Sequence, residues 1–349
     1  MVTRVVAGRT FDFSHAMGRG AVAGMGFNYG NAMFIDAEGM VYVVSRGAEF
    51  VTGVPWNRTA RGARVGKFNV GIRSGDEEYF GDFGKTGDGY GEFMWPTAVA
   101  LDSKGTIYVT DEWLNKVSVW NNNWELVTEW GVVGSGEGEF DGPAGIICDG
   151  DDNLLIVDSR NHRIQKYTGE GRYLSSFGAP GSGDGEFNTP WGITLDEEGY
   201  IYVADSNNDR VQKFTPGGVY VAQFGSPGSG RGELSRPSDV AVDPDGDVYV
   251  CDWGNDRVQA YDATGRFFTS FEGDARELTP WSAQVVEVNP EAVKKRREVK
   301  DITVEWRLQM PRAVDFDAHN NRLLIMDTQR NRIQIYNKLK DYTSPARNL

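Results

Sequence analysis

The chain is poor in the residues that most often announce chemistry. Its 349 residues contain two cysteines and three histidines. Cys148 and Cys251 both sit in strand-like runs, so they read as small buried hydrophobes and not as a disulfide or redox pair. His15, His162 and His319 are too few and too scattered for a histidine-rich metal centre, and neither a serine–histidine–aspartate ordering nor a cysteine–histidine pairing stands out. Basic residues are also scarce: 36 Lys and Arg against 50 Asp and Glu give a formal charge of −14, which repels phosphate backbones and argues against nucleic acid as a partner. The run Lys294-Lys-Arg-Arg297 reads as the solvated face of a helix. No apolar run approaches the 18 or so residues of a membrane span, and Met1-Val-Thr-Arg4 lacks the apolar centre of a signal peptide. The expected location is the cytoplasm, or outside the cell if a leader has been removed, with no membrane partner.

Glycine, at 44 residues, and aromatics, at 12%, are abundant, as in many short strands joined by tight turns. Internal repetition then sets the fold. Ile107-Tyr-Val-Thr-Asp111, Leu155-Ile-Val-Asp158, Ile201-Tyr-Val-Ala-Asp205 and Val248-Tyr-Val-Cys-Asp252 are variants of one strand, their aspartates spaced by 47 residues. A fifth copy ends at Asp327, and a worn sixth is Val41-Tyr-Val-Val-Ser45. Each unit reads as four strands, a to d: a follows a proline, as in Pro190-Trp-Gly-Ile-Thr-Leu-Asp196; b ends on the aspartate; c carries Arg210-Val-Gln-Lys-Phe214; d ends near Phe224-Gly225. One such sheet cannot bury both faces, so six pack in a ring. The prediction is an all-β, six-bladed β-propeller of four-stranded antiparallel blades, one domain over 1–349. Arg4-Val-Val-Ala-Gly-Arg-Thr-Phe11 looks like a strand d with no a, b or c before it. It is expected to join the last blade, closing the ring and covering an open edge.

Residues that recur in every unit read as structural. The pairs Asp158–Arg163, Asp205–Arg210, Asp252–Arg257 and Asp327–Arg332, with Lys116 in place of arginine after Asp111, are expected to be ion pairs bridging the b–c turn. Gly134-Ser-Gly136 and Gly181-Ser-Gly183 mimic phosphate loops, but strands follow them instead of helices, so they read as d–a turns. Asp243-Pro-Asp245-Gly-Asp247 mimics part of a calcium loop and reads as an a–b hairpin turn.

The motifs Asn161-His-Arg-Ile-Gln, Asn208-Asp-Arg-Val-Gln, Asn255-Asp-Arg-Val-Gln and Asn331-Arg-Ile-Gln give the chain a pattern that resembles the NHL-repeat family over nearly its whole length. The resemblance is specific for fold and weak for function.

Function is expected where the repeat breaks. The b–c loop of blade 1 carries an insertion, 46–63, that includes Glu49. The connection into the last blade carries another, 274–306, whose segment Asn289 to Asp301 reads as a helix with proline in its first turn. The loop from Phe13 to Gly30, with His15 and Tyr29, is also long. All three are expected on one face, as a rim or lid over one channel mouth. The position after the strand-a proline holds Asn31, Thr97, Ala144, Trp191, Ser238 and Arg312. The b–c loops add Arg46, Glu112, Trp113, Arg160, Asn207 and Trp253. Arginines with tryptophans suit an anionic or aromatic small molecule, while the tryptophans also suit inter-blade packing.

Val43-Val-Ser-Arg46-Gly47-Ala-Glu49-Phe resembles the arginine loop of the peptidyl-hydroxyglycine amidating lyases, which are similar propellers. That resemblance implies a catalytic role for Arg46. It places Thr97, Trp191 and Arg312 where those lyases hold zinc through histidines, and Arg160 where they hold a tyrosine, so zinc-dependent amidating chemistry is not expected here. Similarity to lactonase-type propellers implies a calcium ion at the mouth, with Asp239 and Asn31 as candidate ligands. Two functions remain. One is a lyase- or hydrolase-like enzyme in which Arg46 and Arg160 clamp or polarise the substrate, Tyr29 or His15 moves protons, and Arg312, Trp113, Trp191, Trp253, Glu49, Asn207 and Asn31 bind it. The other is a non-catalytic propeller that binds a ligand or a protein partner.

Overall fold

The computed structural model describes residues 2–49 and 60–340 and is a ring of six four-stranded antiparallel blades. Blades 1 to 5 start with strands a at Gly30–Ile35, Pro96–Leu101, Pro143–Cys148, Pro190–Leu195 and Pro237–Val242. They end with strands d at Glu78–Phe83, Leu126–Trp130, Tyr173–Phe177, Tyr220–Phe224 and Phe267–Phe271. Blade 6 takes its a, b and c from Pro311–Asp317, Arg322–Asp327 and Arg332–Leu339, and its d from the N-terminal strand Arg9–Met17. The ring therefore closes as expected, with one difference. Ala7 and Gly8, both at positive φ, form a tight hairpin, so Thr3–Val6 becomes a fifth, outermost strand and strand d starts only at Arg9. Apolar residues between neighbouring blades form six clusters around the ring.

The repeated strand-c motif has a single physical purpose. Alternate residues of a strand share a face, so Arg163 and Gln165, with Asn161 before them, all donate to the buried Asp158 carboxylate, at 2.8, 3.0 and 2.8 Å. Asp205 and Asp252 gather the same three side chains, and Asp327 gathers Arg332 and Gln334. Blade 2 departs from the expected pairing. Lys116 reaches Glu129 on strand d at 2.6 Å, and Asp111 is held by four backbone N–H groups from Met94, Trp95, Trp113 and Leu114. The glycine-rich d–a turns fold around a carboxylate of their own: Glu139, Glu186 and Glu233 each accept from the N–H of a turn glycine at 2.8 Å.

Blades are also stitched to their neighbours. The b–c turns of blades 3 to 6 are single 3-10 turns that end on a left-handed residue: His162, Asp209, Asp256 and Asn331. Each of these side chains accepts the backbone N–H just before strand a of the next blade, at Thr189, Arg236, Met310 and Tyr29. His162 is thereby structural. The insertion 274–306 forms three short helices, α1 (Pro280–Val286), α2 (Pro290–Arg297) and α3 (Thr303–Trp306). Thr279 and Asn289 cap α1 and α2, and proline opens each. Trp281 of α1 is buried beside Phe68 and Phe27 at the seam between blades 6 and 1, and the Thr279 hydroxyl donates to the Gly18 carbonyl. The Asp243–Asp247 turn is an a–b hairpin turn, and Lys338 fills its centre. Its ammonium lies 2.5, 2.8 and 2.9 Å from Asp243, Asp245 and Asp247.

Candidate functional site

Blade 1 is the worn repeat, and its defects build the mouth. Ser45 stands where other blades have the aspartate, so Arg64 turns elsewhere. It pairs with Asp82 at 3.2 Å and donates to the carbonyls of Ala21, Gly24 and Gly26. That shapes the loop before strand a and delivers Tyr29, in the left-handed region at φ 52, to the rim. The start of the inserted b–c loop is fixed on the same segment: Arg46 N–H donates to Tyr29 O, and Gly47 N–H to Asn28 O. Gly47 sits at φ 86, where a Cβ would meet the Arg61 carbonyl at 2.7 Å.

The Arg46 side chain is positioned from two sides. Its guanidinium lies 2.6 Å from Glu112 and 4.4 Å from the Trp95 ring centroid, and Trp95 meets Trp113 edge-on at 4.9 Å. Arg312 donates to Asn31 Oδ1 at 2.7 Å and lies over the Trp253 ring at 5.8 Å. Asn31 in turn donates to the Thr97 carbonyl. The result is a cavity of about 380 Å³ lined by Tyr29, Asn31, Arg46, Gly47, Met310, Arg312, Thr328 and Gln329. Among the described residues, its lining contains two guanidiniums and no carboxylate. Asn31 and Arg312 also line the central channel of about 110 Å³ below, so their bond is the floor of one and the ceiling of the other.

Of the residues singled out from sequence, this cavity brings together Arg46, Tyr29, Arg312 and Asn31, with Trp253 behind Arg312. It does not gather Arg160, Asn207, Trp191, Trp113 or His15. Arg160 is half exposed on blade 3 and pairs with Asp141 at 3.2 Å. Asn207 donates to Thr189 within blade 4, Trp191 lines the channel, and Trp113 backs Trp95. For Glu49 only the backbone, paired with Ala60, is described, and the rest of the insertion from 50 to 59 lies outside the described residues. His15 is corrected most: it is no mouth-loop residue but part of strand d of blade 6, 4% exposed, with Nε2 2.7 Å from the Val70 carbonyl. The helices of 274–306 pack at the seam and contribute nothing to the lining of the mouth cavity.

A calcium ion does not fit the residues proposed for it. Asn31 Oδ1 already accepts from Arg312, and Asp239 Oδ2 accepts the Val314 N–H at 3.1 Å. Among the described residues no cluster of three or more His, Cys, Asp or Glu side chains is arranged to hold a metal.

Sequence reading named Asp239 only as a calcium ligand and missed Asp315, its fellow carboxylate in the channel. Asp239 and Asp315 occupy strand-a positions that other blades fill mostly with small or uncharged residues, such as Gly192 and Ala98 for the first and Ala100 and Ala241 for the second. Innermost strands of adjacent blades have no backbone ladder between them, which leaves N–H groups to satisfy. Asp239 of blade 5 accepts from Val314 of blade 6, and Asp315 of blade 6 accepts from Ile35 of blade 1 at 3.0 Å. Both border the channel and so retain some exposed surface, yet protein encloses them on all sides. Burial therefore pushes Asp239 well above the usual carboxylate range and Asp315 up to about 7.

The NHL repeat profile matches residues 187–214 and 234–261, in blades 4 and 5. No curated protein matches the sequence. Among solved structures, virginiamycin B lyase from Staphylococcus aureus superposes with a TM-score of 0.55 at 12% identity, covering 94% of this chain and 99% of its own. A protein of unknown function from Bacteroides thetaiotaomicron gives 0.58 at 16% identity, covering 95% and 76%. An auxiliary nutrient binding protein from the same organism gives 0.56 at 11%, covering 90% and 70%. At such identities the likeness is one of fold. No helix among the described residues is long and apolar enough to cross a membrane.

Proposed function

We propose, for a chain that is an NHL-repeat six-bladed β-propeller, that the mouth cavity between blades 6 and 1 binds a small organic anion, a carboxylate in the first instance. The observation that carries this reading is electrostatic. A chain of net charge −14 sets two guanidiniums, Arg46 and Arg312, on one cavity of about 380 Å³ that has no acid among the described residues of its lining. Glu112 offsets part of the Arg46 charge and fixes its direction, and Asn31 accepts from Arg312 and orients it. Planar guanidiniums held in place lose little freedom when they take a carboxylate by paired hydrogen bonds. Tyr29 brings a phenol to the rim, and Thr328 and Gln329 add uncharged polar groups.

A lyase-like step at the same cavity is the second reading. It rests on Tyr29, the one ordinary proton-transfer side chain of the described lining, exposed beside the two arginines. With His15 elsewhere, binding without chemistry is the better supported of the two. The neighbours named for a lyase and for nutrient binding share the fold with both.

Isothermal titration with a panel of small mono- and dicarboxylates and phosphates tests the proposal. Arg312→Gln and Arg46→Gln are each expected to weaken binding about tenfold or more, since a charge-assisted bond is worth about 1.5–3 kcal/mol. Arg160→Gln, outside the cavity, is the control and should bind as the wild type does. Wild-type affinity in both cavity variants, or no binding of any anion to the folded protein, would overturn the reading.

A further inference from the structure

We propose that Ser14 and His15 form a nucleophile–base pair on the outer rim of the seam, able to hydrolyse esters of short apolar acyl groups. Neighbouring residues of a regular strand point to opposite faces. Strand d, however, carries a bulge: Phe13 pairs with Tyr336 and His15 with Ile335, so Ser14 is the extra residue. The bulge turns both side chains to one side, with Ser14 Oγ 2.9 Å from His15 Nδ1.

The same bulge recurs in strand d of the other five blades, at Phe80, Val127, Leu174, Val221 and Phe268. The architecture thus requires the bulge but not these residues, since the other five blades place large apolar side chains there.

The tautomer is forced. His15 Nε2 lies 2.7 Å from the Val70 carbonyl, which can only accept, so Nε2 carries the proton and Nδ1 presents its lone pair to the serine hydroxyl. That is the arrangement of a base oriented by a third group and aimed at a nucleophile. The ring is buried, which holds it neutral near pH 7. The pair borders a cavity of about 360 Å³. Val2, Phe13, Ala16 and Leu278 give it apolar walls, and Ser74, Asp274, Arg276 and Glu277 are its polar lining.

In the proposed step, Ser14 Oγ bonds to the acyl carbon as its proton passes to His15 Nδ1. The ester C–O bond then breaks, and the alcohol leaves with that proton. Water attacks the acyl-serine, giving its proton to Nδ1, and Ser14 recovers it as the carboxylic acid departs. The cavity is separate from the mouth, so this inference stands independently of anion binding there.

The test is covalent labelling of the full chain with a fluorophosphonate, read by mass spectrometry on the tryptic peptide Thr10 to Arg19, beside turnover of p-nitrophenyl butyrate. The expected results are an adduct on Ser14, no label and no turnover in Ser14→Ala, and a labelling rate at least about 100-fold lower in His15→Asn, the usual contribution of a general base. If His15→Asn does not fold, the wild-type pH profile decides. The labelling rate should be level near pH 7–8 and fall below a midpoint under 6.5, because burial lowers the His15 pKa. The charges around the ring are Glu77 and Asp76 on the c–d turn of blade 1, Arg322 on strand b of blade 6, and Asp274, Arg276 and Glu277 across the cavity. Absence of a Ser14 adduct on the folded chain, or a rate that climbs steadily with hydroxide from pH 5 to 9, would overturn the proposal.

Discussion

Replacing Asp315 by alanine should make the protein less stable in mild acid and more nearly equal, or superior, in mild base. Two terms of opposite sign produce this. The first is a lost acceptor: the Ile35 N–H, which donates to Asp315 across the seam, is left unpaired at about 1–3 kcal/mol. This term is nearly independent of pH. The second is ionisation. Enclosure raises the Asp315 pKa from 3.8 to about 7, so between those values the folded chain holds a proton that the unfolded chain releases. Stability therefore falls as pH rises through that window. At about 1.36 kcal/mol per unit, a shift of about 3 units removes up to about 4 kcal/mol by pH 8.5. Alanine carries no such penalty, and Ala100 and Ala241 show that the position accepts it.

Urea unfolding followed by tryptophan fluorescence, at half-unit steps from pH 4.5 to 8.5, measures the difference. The wild type should exceed Asp315→Ala by up to about 2 kcal/mol at pH 4.5, where about 1 kcal/mol of the ionisation penalty is already present, and the gap should close or reverse by pH 8.5. Other buried carboxylates contribute equally to both proteins and cancel. Parallel stability curves, with a gap constant to about 0.5 kcal/mol, would refute the claim that enclosure governs this carboxylate.

Two further predictions concern the ring's other ties. Lys338→Met leaves the buried Asp243 and Asp247 with less compensation and should cost about 3–5 kcal/mol in urea unfolding at pH 7. Asp245→Asn in the same turn should cost little, since that carboxylate is 62% exposed. Trp281→Ala empties the pocket beside Phe68 and should cost about 3–5 kcal/mol, whereas Lys294→Ala and Lys295→Ala, on the exposed side of α2, should leave the unfolding midpoint unchanged.

The blades were legible because their periodic aspartates are structural. A carboxylate that gathers an asparagine, an arginine and a glutamine from strand c must recur wherever the turn recurs, so spacing alone counts the blades. The same logic located the mouth: Arg46, Tyr29, Asn31 and Arg312 lie at or beside the broken repeat and do converge. It overreached with Arg160. Equivalent turns share a face of the ring, but blade 3 holds its turn across the ring from the seam, and a half-exposed arginine there finds Asp141 instead. His15 was misplaced for a local reason. Phe13-Ser-His-Ala breaks strict alternation, which reads as the end of a strand, whereas the bulge at Ser14 absorbs the extra residue and the strand runs on to Met17. Asp239 and Asp315 left a signal that was available, carboxylates at positions otherwise held mostly by small or uncharged residues, but their partners lie 75 and 280 residues away.

The irregularities share one origin. All six joints of the ring are made by chain that runs from strand d of one blade into strand a of the next, and the break lies inside blade 6, where strand c from one end of the sequence pairs with strand d from the other. That pairing pays its own loop-closure entropy. The joint beside it, between blades 6 and 1, is where unrepeated contacts accumulate: Arg312 with Asn31, Asp315 with Ile35, and Trp281 with Phe68. Arg312, Asn31 and Tyr29 are at once ties of the seam and lining of the mouth. Under the proposed anion binding, Arg312 is held in position by a bond that ties blade 6 to blade 1. It follows that Arg312→Gln should lose stability as well as affinity, while Arg46→Gln, whose partners Glu112 and Trp95 belong to blade 2 and its entry, should lose affinity with a smaller change in unfolding. Equal stability losses in the two variants would separate the mouth from the closure of the ring.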